Sequence, residues 1–225
     1  MTVRIARIEG DCETSFNTAS GVLLAFPNRA VVATANHVVE GFVEARNAGE
    51  RVALVIDNMP LEDPRVVYRS KRDDIALIEV PDRGRNGIKA VPYRPVGLWP
   101  PPSVQIDDTV LVCGFPKRFR YDGQEILHGD LNLLVDVSSV GDTYFVLNID
   151  WERLDHHGRF RPPSHQVNYG GVSGGPVFLY DGGANPLVGI VSEAPDRLPL
   201  WRVAALAHLP SNIATVPSVS SREDR

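Results

Sequence analysis

Residues 168–178 read N-Y-G-G-V-S-G-G-P-V-F, a single serine, Ser173, set among glycines. Glycine lets a backbone turn tightly without a Cβ penalty, so this stretch can present one hydroxyl and aim nearby N–H groups at the same point. Those are the needs of an acyl-transfer nucleophile. A serine hydroxyl is a weak nucleophile alone and needs a base, itself oriented by a third group. V-V-A-T-A-N-H-V-V supplies His37 just after a β-branched apolar run, and R-D-D-I-A-L-I-E-V supplies Asp73 and Asp74 at the head of another. Each has a plainer reading alone: a satisfied strand-end histidine, a turn serine, an aspartate solvating a strand end. Together they offer nucleophile, base and orienting acid for carbonyl chemistry.

Histidine, acid and serine follow one another in that order, one of three orders that unrelated hydrolase folds use. With T-A-x-H-V, D-I-A-L and G-x-S-G-G-P in this arrangement, the stretch from about residue 20 to 209 resembles the trypsin/chymotrypsin-like serine peptidases, particularly their bacterial single-domain forms. The resemblance implies an all-β fold of two antiparallel six-stranded β-barrels with the active site in the cleft between them. It implies a serine endopeptidase acting on protein or peptide substrates through an acyl-enzyme, with His37 as base. Asp74, not Asp73, is the acid, because the motif's acid directly precedes the apolar run. The N–H groups of Gly171 and Ser173 form the oxyanion hole.

Residues 187–194, L-V-G-I-V-S-E-A, resemble the family strand whose edge pairs with the substrate backbone. That assigns Ser192, Glu193 and Ala194 to one wall of the specificity pocket. Its base is expected from residues 165–169, with Val167, six positions before the nucleophile, favouring small or medium apolar side chains. Glu193 swinging inward to select a cation, or His165 selecting an amide, are the alternatives. Val172 stands where the animal digestive members carry an aspartate that pairs with a cleaved N-terminus. No activation salt bridge of that kind is expected and no convincing pro-segment is seen, although residues before about 15 could form one.

Gly171-Val172-Ser173-Gly174-Gly175 also fits G-x-S-x-G, the nucleophile elbow of α/β-hydrolases. That elbow follows an apolar strand, opens a helix and has its acid and then its histidine downstream. Here mixed H-Q-V-N-Y precedes, Pro176 stands where a helix would propagate, and the only downstream histidine, His208, lies just before Pro210. The elbow is excluded.

The elements that must position these residues read as strands. Short β-rich runs (G-V-L-L-A-F, A-V-V-A-T-A, R-V-A-L-V-I, I-A-L-I-E-V, T-V-L-V-C-G-F, L-N-L-L-V-D-V, T-Y-F-V-L-N-I, P-V-F-L-Y, L-V-G-I-V-S) recur between Gly, Pro, Asn and Asp. That is the pattern of sandwiches and barrels. W-R-V-A-A-L-A-H-L is the best candidate for a helix, with a partly strand reading as its alternative, and no convincing helical segment is expected before it. Residues 91–103 carry five prolines, which deny a ladder its donors, and read as an extended connector. The expected organisation is residues 1–95 as the half carrying His37 and Asp74, 96–212 as the half carrying Ser173, and 213–225 as a flexible tail.

A net charge of −5 over 225 residues argues against a nucleic-acid-binding surface, and the short basic cluster Lys117, Arg118, Arg120 reads as a solvated loop. The first residues lack the apolar core of a secretory signal and no run approaches membrane-spanning length, so no membrane partner is expected. Cys12 and Cys113 are the only cysteines, with Cys113 inside an apolar run; a buried thiol in a reducing cytoplasm is expected rather than a disulfide framework. No cofactor motif is present, and His156-His157, His128 and His165 lack the spacing of metal ligands, so neither cofactor nor metal is expected. A regulatory partner protein is left open. The rival from another class is a degenerate relative that binds proteins without cleaving them.

Overall fold

In the computed structural model of the chain, residues 1–9, 17–82, 87–95, 99–116, 131–150, 169–183, 185–195 and 199–211 are described. Seven strands form one antiparallel sheet: β1 (Thr2–Glu9), β2 (Asn17–Phe26), β3 (Arg29–Ala35), β4 (Val52–Ile56), β5 (Met59–Leu61), β6 (Val66–Ser70) and β7 (Ile75–Val80), in the order β5-β4-β1-β2-β3-β7-β6. Six more close into a barrel: β8 (Thr109–Gly114), β9 (Leu131–Val140), β10 (Tyr144–Asn148), β11 (Pro176–Leu179), β12 (Leu187–Glu193) and β13 (Leu200–Ala205). The fold is all-β and chymotrypsin-like, with one correction. The first sheet has seven strands and is not a closed six-stranded barrel. The extra edge strand arises where the chain reverses through Asp57, at a left-handed φ of 52°, and lays three residues of β5 back on β4.

Burial follows the sequence pattern. In β9 burial alternates: Leu131, Leu133, Val135 and Val137 point into the barrel with Phe145 and Trp201, while Leu134 between them is exposed. β3 is buried at every residue because it has no solvent face. Val32 packs with Val3, Ile5 and Phe42 on one side of the sheet. Val31 and Ala33 pack on the other, where Leu24 and Leu77 meet Phe178, Leu187 and Ile190 of the barrel. This last cluster joins the two halves and fixes the walls of the cleft between them.

The connector behaves as its prolines require. Tyr93 makes an isolated parallel bridge to Leu24, its N–H donating to Leu23 C=O at 2.8 Å. Its ring packs on Phe178 and its hydroxyl accepts the Leu187 N–H at 3.1 Å. One residue of the crossover is thereby bonded to both halves.

Two expectations are corrected. A helix does occur early, α1 (Asn36–Asn47), while W-R-V-A-A-L-A-H-L is strand β13 followed by one 3-10 turn, Leu206–His208. Val39, Phe42 and Ala45, three residues apart, bury one face of α1. The helix ends in a Schellman arrangement: Gly49 has a φ of 81°, its N–H donates to Arg46 C=O, and the Glu50 N–H donates to Ala45 C=O. Residues 2–9 lie between β2 and β4, with Val3 and Ile5 in the core, so they are structural rather than a detachable pro-segment. Cys113 is a buried, reduced thiol; Cys12 and residues 213–225 lie outside the described residues. No helix among the described residues is long and apolar enough to cross a membrane.

Candidate active site

His37 is the second residue of α1, directly after the buried strand β3. A helix N-terminus leaves backbone donors without partners, and Ala35 at the N-cap has no side chain to offer. Asp74 fills that need from across the sheet. It sits in the turn between β6 and β7 at a φ of 53°, a left-handed conformation that aspartate tolerates better than most residues. Its Oδ1 accepts the His37 backbone N–H at 2.9 Å, and its backbone C=O accepts the Asn36 N–H at 3.1 Å. Its Oδ2 lies 2.9 Å from His37 Nδ1 and accepts a hydrogen bond from Ser192 Oγ at 2.6 Å.

A carboxylate can only accept, so this geometry assigns the proton to Nδ1 and leaves the Nε2 lone pair available as a base. The hydrogen bond that Nδ1 donates to Asp74 raises the His37 pKa above its ordinary 6.5, against the opposing effect of burial. Burial pushes Asp74 upward, but the His37 ring, the Ser192 hydroxyl and the His37 N–H together bring it below its usual 3.8. Asp73 is elsewhere: its Oδ2 accepts from Ser70 Oγ at 2.7 Å, and it makes no contact with His37.

Ser173 lies on the loop entering β11. The Val172 N–H donates to Tyr169 C=O at 3.0 Å and the Gly175 N–H to Val172 C=O at 2.7 Å, two successive tight turns. Gly171 and Gly174 take φ of 102° and 85°, conformations open to glycine. Val172 is buried in the barrel core and Ser173 is half-buried. Among the described residues, neither the Gly171 N–H nor the Ser173 N–H is used in a hydrogen bond. Ser173 and His37 line the same two openings without a hydrogen bond between them. One, about 280 Å³, is floored by Phe42 and Leu54 with Arg7 at its side. The other, about 650 Å³, contains Asp74, Ser192, Glu193, Ala194 and Arg202.

Ser192 is buried against Asp74, whereas Glu193 is exposed and faces Arg202 across β12 and β13, where the register shifts. Arg202 lies over the Tyr144 ring at 4.4 Å. β12 is paired with β11 over residues 187–190 and with β13 on its other side over residues 189–193, so the strand is no open edge. Only its end, from Ser192 onward, extends beyond β11. Val167 and His165 lie outside the described residues. Tyr169, the last of the expected pocket-base stretch, instead packs on Trp201 in the barrel core, where burial pushes its phenol up to about 12.

Two residues near the site carried no sequence signal. Asn36 is buried and accepts the Arg69 Nε–H, bracing the turn that carries Asp74. Ser20 bonds to the loop that carries Ser173 from 151 residues away. Among the described residues, no His, Cys, Asp and Glu cluster is suited to hold a metal.

The fold is shared with solved structures. Over 92% of this chain and 58% of the other, it superposes on a serine endoprotease from Yersinia pestis with a TM-score of 0.55 and 16% identity. This chain thus spans less than two thirds of that protein. Deg5 superposes with a TM-score of 0.54 and 14% identity, over 91% of this chain and 82% of Deg5. A third likeness is a structure from work on coupled folding and binding of the intrinsically disordered Sesbania mosaic virus VPg protein (TM-score 0.52, 15% identity, 93% of this chain and 91% of that one). No curated protein matches the sequence. Residues 19–190 match the family described as the trypsin-like peptidase domain, and the chain belongs to that family.

Proposed function

We propose that the protein is a serine endopeptidase that works through His37, Asp74 and Ser173. The observation that carries this reading is the double hold of Asp74 on His37, one oxygen on the backbone N–H and the other on the ring, in the cleft that Ser173 also lines. Ser173 Oγ attacks the scissile carbonyl carbon while its proton passes to His37 Nε2. The carbonyl oxygen becomes an oxyanion received by the Gly171 and Ser173 N–H groups, each such donor contributing about 3 kcal/mol to the transition state. Collapse breaks the C–N bond, His37 returns the proton to the departing amine, and the acyl group stays on Ser173. A water then repeats the sequence, with His37 as its base, and releases the acid.

The substrate is a protein or peptide bound extended, pairing its backbone with the end of β12 from Ser192 to Ala194. An apolar P1 residue is proposed from the sequence alone, because Val167 stands six positions before Ser173. The test is labelling by a fluorophosphonate, which reacts with an activated serine and spares an inert one. Labelling that maps to Ser173 and vanishes in Ser173→Ala is the expected result. A folded wild-type protein that takes no label would overturn the reading in favour of a non-cleaving relative.

A further inference from the structure

Ser20, on β2, is fully buried and is bonded to three other segments of the chain. Its N–H donates to Ser173 C=O at 2.8 Å. Its hydroxyl donates to Gly171 C=O at 2.7 Å and accepts the Phe115 N–H at 2.9 Å. Its own C=O accepts the Thr34 hydroxyl at 2.8 Å, and Thr34 stands three residues before His37. One residue of the first sheet therefore holds the carbonyls of Gly171 and Ser173, at the two ends of the tripeptide 171–173, and touches the strand that delivers the base.

The consequence lies in the peptide planes. The plane joining Gly171 to Val172 is held at both edges, its C=O by Ser20 Oγ and its N–H by Tyr169 C=O. A peptide unit is rigid, so two anchors fix its orientation. The planes on either side carry the Gly171 and Ser173 N–H groups, the two left unused. The approach is as close as glycine permits: a Cβ on Gly174 would lie 2.0 Å from Ser20 O and 2.2 Å from Thr34 Oγ1. The single proton of the Ser20 hydroxyl is committed to Gly171, so Ser20 has no proton for substrate.

We propose that Ser20 is a positioning residue for oxyanion stabilisation, holding the loop 171–173 so that the Gly171 and Ser173 N–H groups converge on the substrate oxygen. The proposal rests on Ser173 being the nucleophile, as argued above. It concerns the donors and not the base, which gives it a distinct signature.

The experiment compares wild type, Ser20→Ala and Ser20→Cys. It measures the rate of fluorophosphonate inactivation, the pH midpoint of that rate, and KM and kcat for the peptide wild type cleaves best. It also measures affinity for the trifluoromethyl ketone of the same sequence. In Ser20→Ala, inactivation and kcat should fall about tenfold or more, less than the roughly 10²-fold to 10³-fold of deleting a donor outright. Ketone affinity should weaken by a similar factor, with KM and the pH midpoint unchanged and Ser20→Cys, a weaker donor, intermediate. A folded Ser20→Ala with unaltered ketone affinity, or a loss confined to KM, would overturn the proposal. If Ser20→Ala fails to fold, Ser20→Cys decides on the same readouts, and loss of fold in both assigns Ser20 a purely structural role. Wild type that takes no label at Ser173 instead refutes the peptidase reading itself.

Discussion

Asp74→Asn probes the site most sharply, because the two carboxylate oxygens have different duties. An asparagine amide offers one acceptor and one donor nitrogen where the aspartate offers two acceptors. Placing the nitrogen at the Oδ1 position would set it 2.9 Å from the His37 backbone N–H, donor against donor. Leaving that helix-terminal N–H without an acceptor costs about 1–3 kcal/mol. The amide is therefore driven the other way, with its nitrogen at the Oδ2 position, facing His37 Nδ1 and the Ser192 hydroxyl. Nδ1 must then accept, the proton moves to Nε2, and the base is lost. The orientation preference alone leaves the productive tautomer about 5-fold to 150-fold depleted. Loss of the charge that stabilises the imidazolium supplies the rest of an expected decrease of roughly 10⁴-fold in kcat, about 5.4 kcal/mol. The assay is kcat and KM on one peptide for wild type, Asp74→Asn and Asp73→Asn, with thermal melts to confirm folding. Asp73, bonded to Ser70, should tolerate the change with little loss. An Asp74→Asn enzyme within about tenfold of wild type, or a crippled Asp73→Asn, would refute the tautomer argument.

Activity should fall as the pH drops through the pKa of His37, with a midpoint above the ordinary 6.5 because Asp74 raises it, as a pH profile of kcat/KM will report. The same pair shapes stability. The His37 part is fully present below 6.5 and lost as pH rises through the raised pKa; the Asp74 part is present above 3.8 and lost as pH falls through the lowered one, so melts across pH should show both flanks. Gly174→Ala should destabilise by more than about 4 kcal/mol, since its Cβ would collide with the Ser20 backbone oxygen, whereas Gly182→Ala, at a φ of 75° with open space around it, should cost only about 1 kcal/mol, as denaturant titration can compare. A positional-scanning library should show small or medium apolar P1 residues preferred and Lys and Arg disfavoured, for want of a buried partner charge. Strong Arg or Lys cleavage that disappears in Glu193→Gln would move the specificity charge to Glu193.

What could be read from the sequence was local. Asp74 was separable from Asp73 because the motif D-I-A-L of the family the sequence resembles has its acid directly before the apolar run; in the structure Asp74 meets His37 and Asp73 bonds to Ser70. The strands were legible as short β-rich runs set between Gly, Pro, Asn and Asp, L-N-L-L-V-D-V for β9 and A-V-V-A-T-A for β3. Helix α1 was not, because its stripe of Val39, Phe42 and Ala45 follows a β-branched run and is broken by Gly41, so the two periods blur where the strand gives way to the helix. Ser20 was invisible for another reason. Its partners lie 151 and 95 residues away, and no spacing rule encodes a bond made only when two sheets meet.

That limit points to where the chemistry is assembled. The first sheet brings His37 and Asp74, and the barrel brings Ser173 and Ser192, so neither half contains the whole site. The bonds between them cross the same seam: Ser192 to Asp74, Ser20 to Ser173 and to Gly171. Beneath them the apolar cluster of Leu24, Leu77, Phe178 and Ile190 excludes water, and Tyr93 ties β2 to β12. A catalytic hydrogen bond tolerates little misplacement, so the rigidity of this seam sets how well base, nucleophile and donors meet. The seam is therefore part of the proposed active site, although few of its residues can touch a substrate.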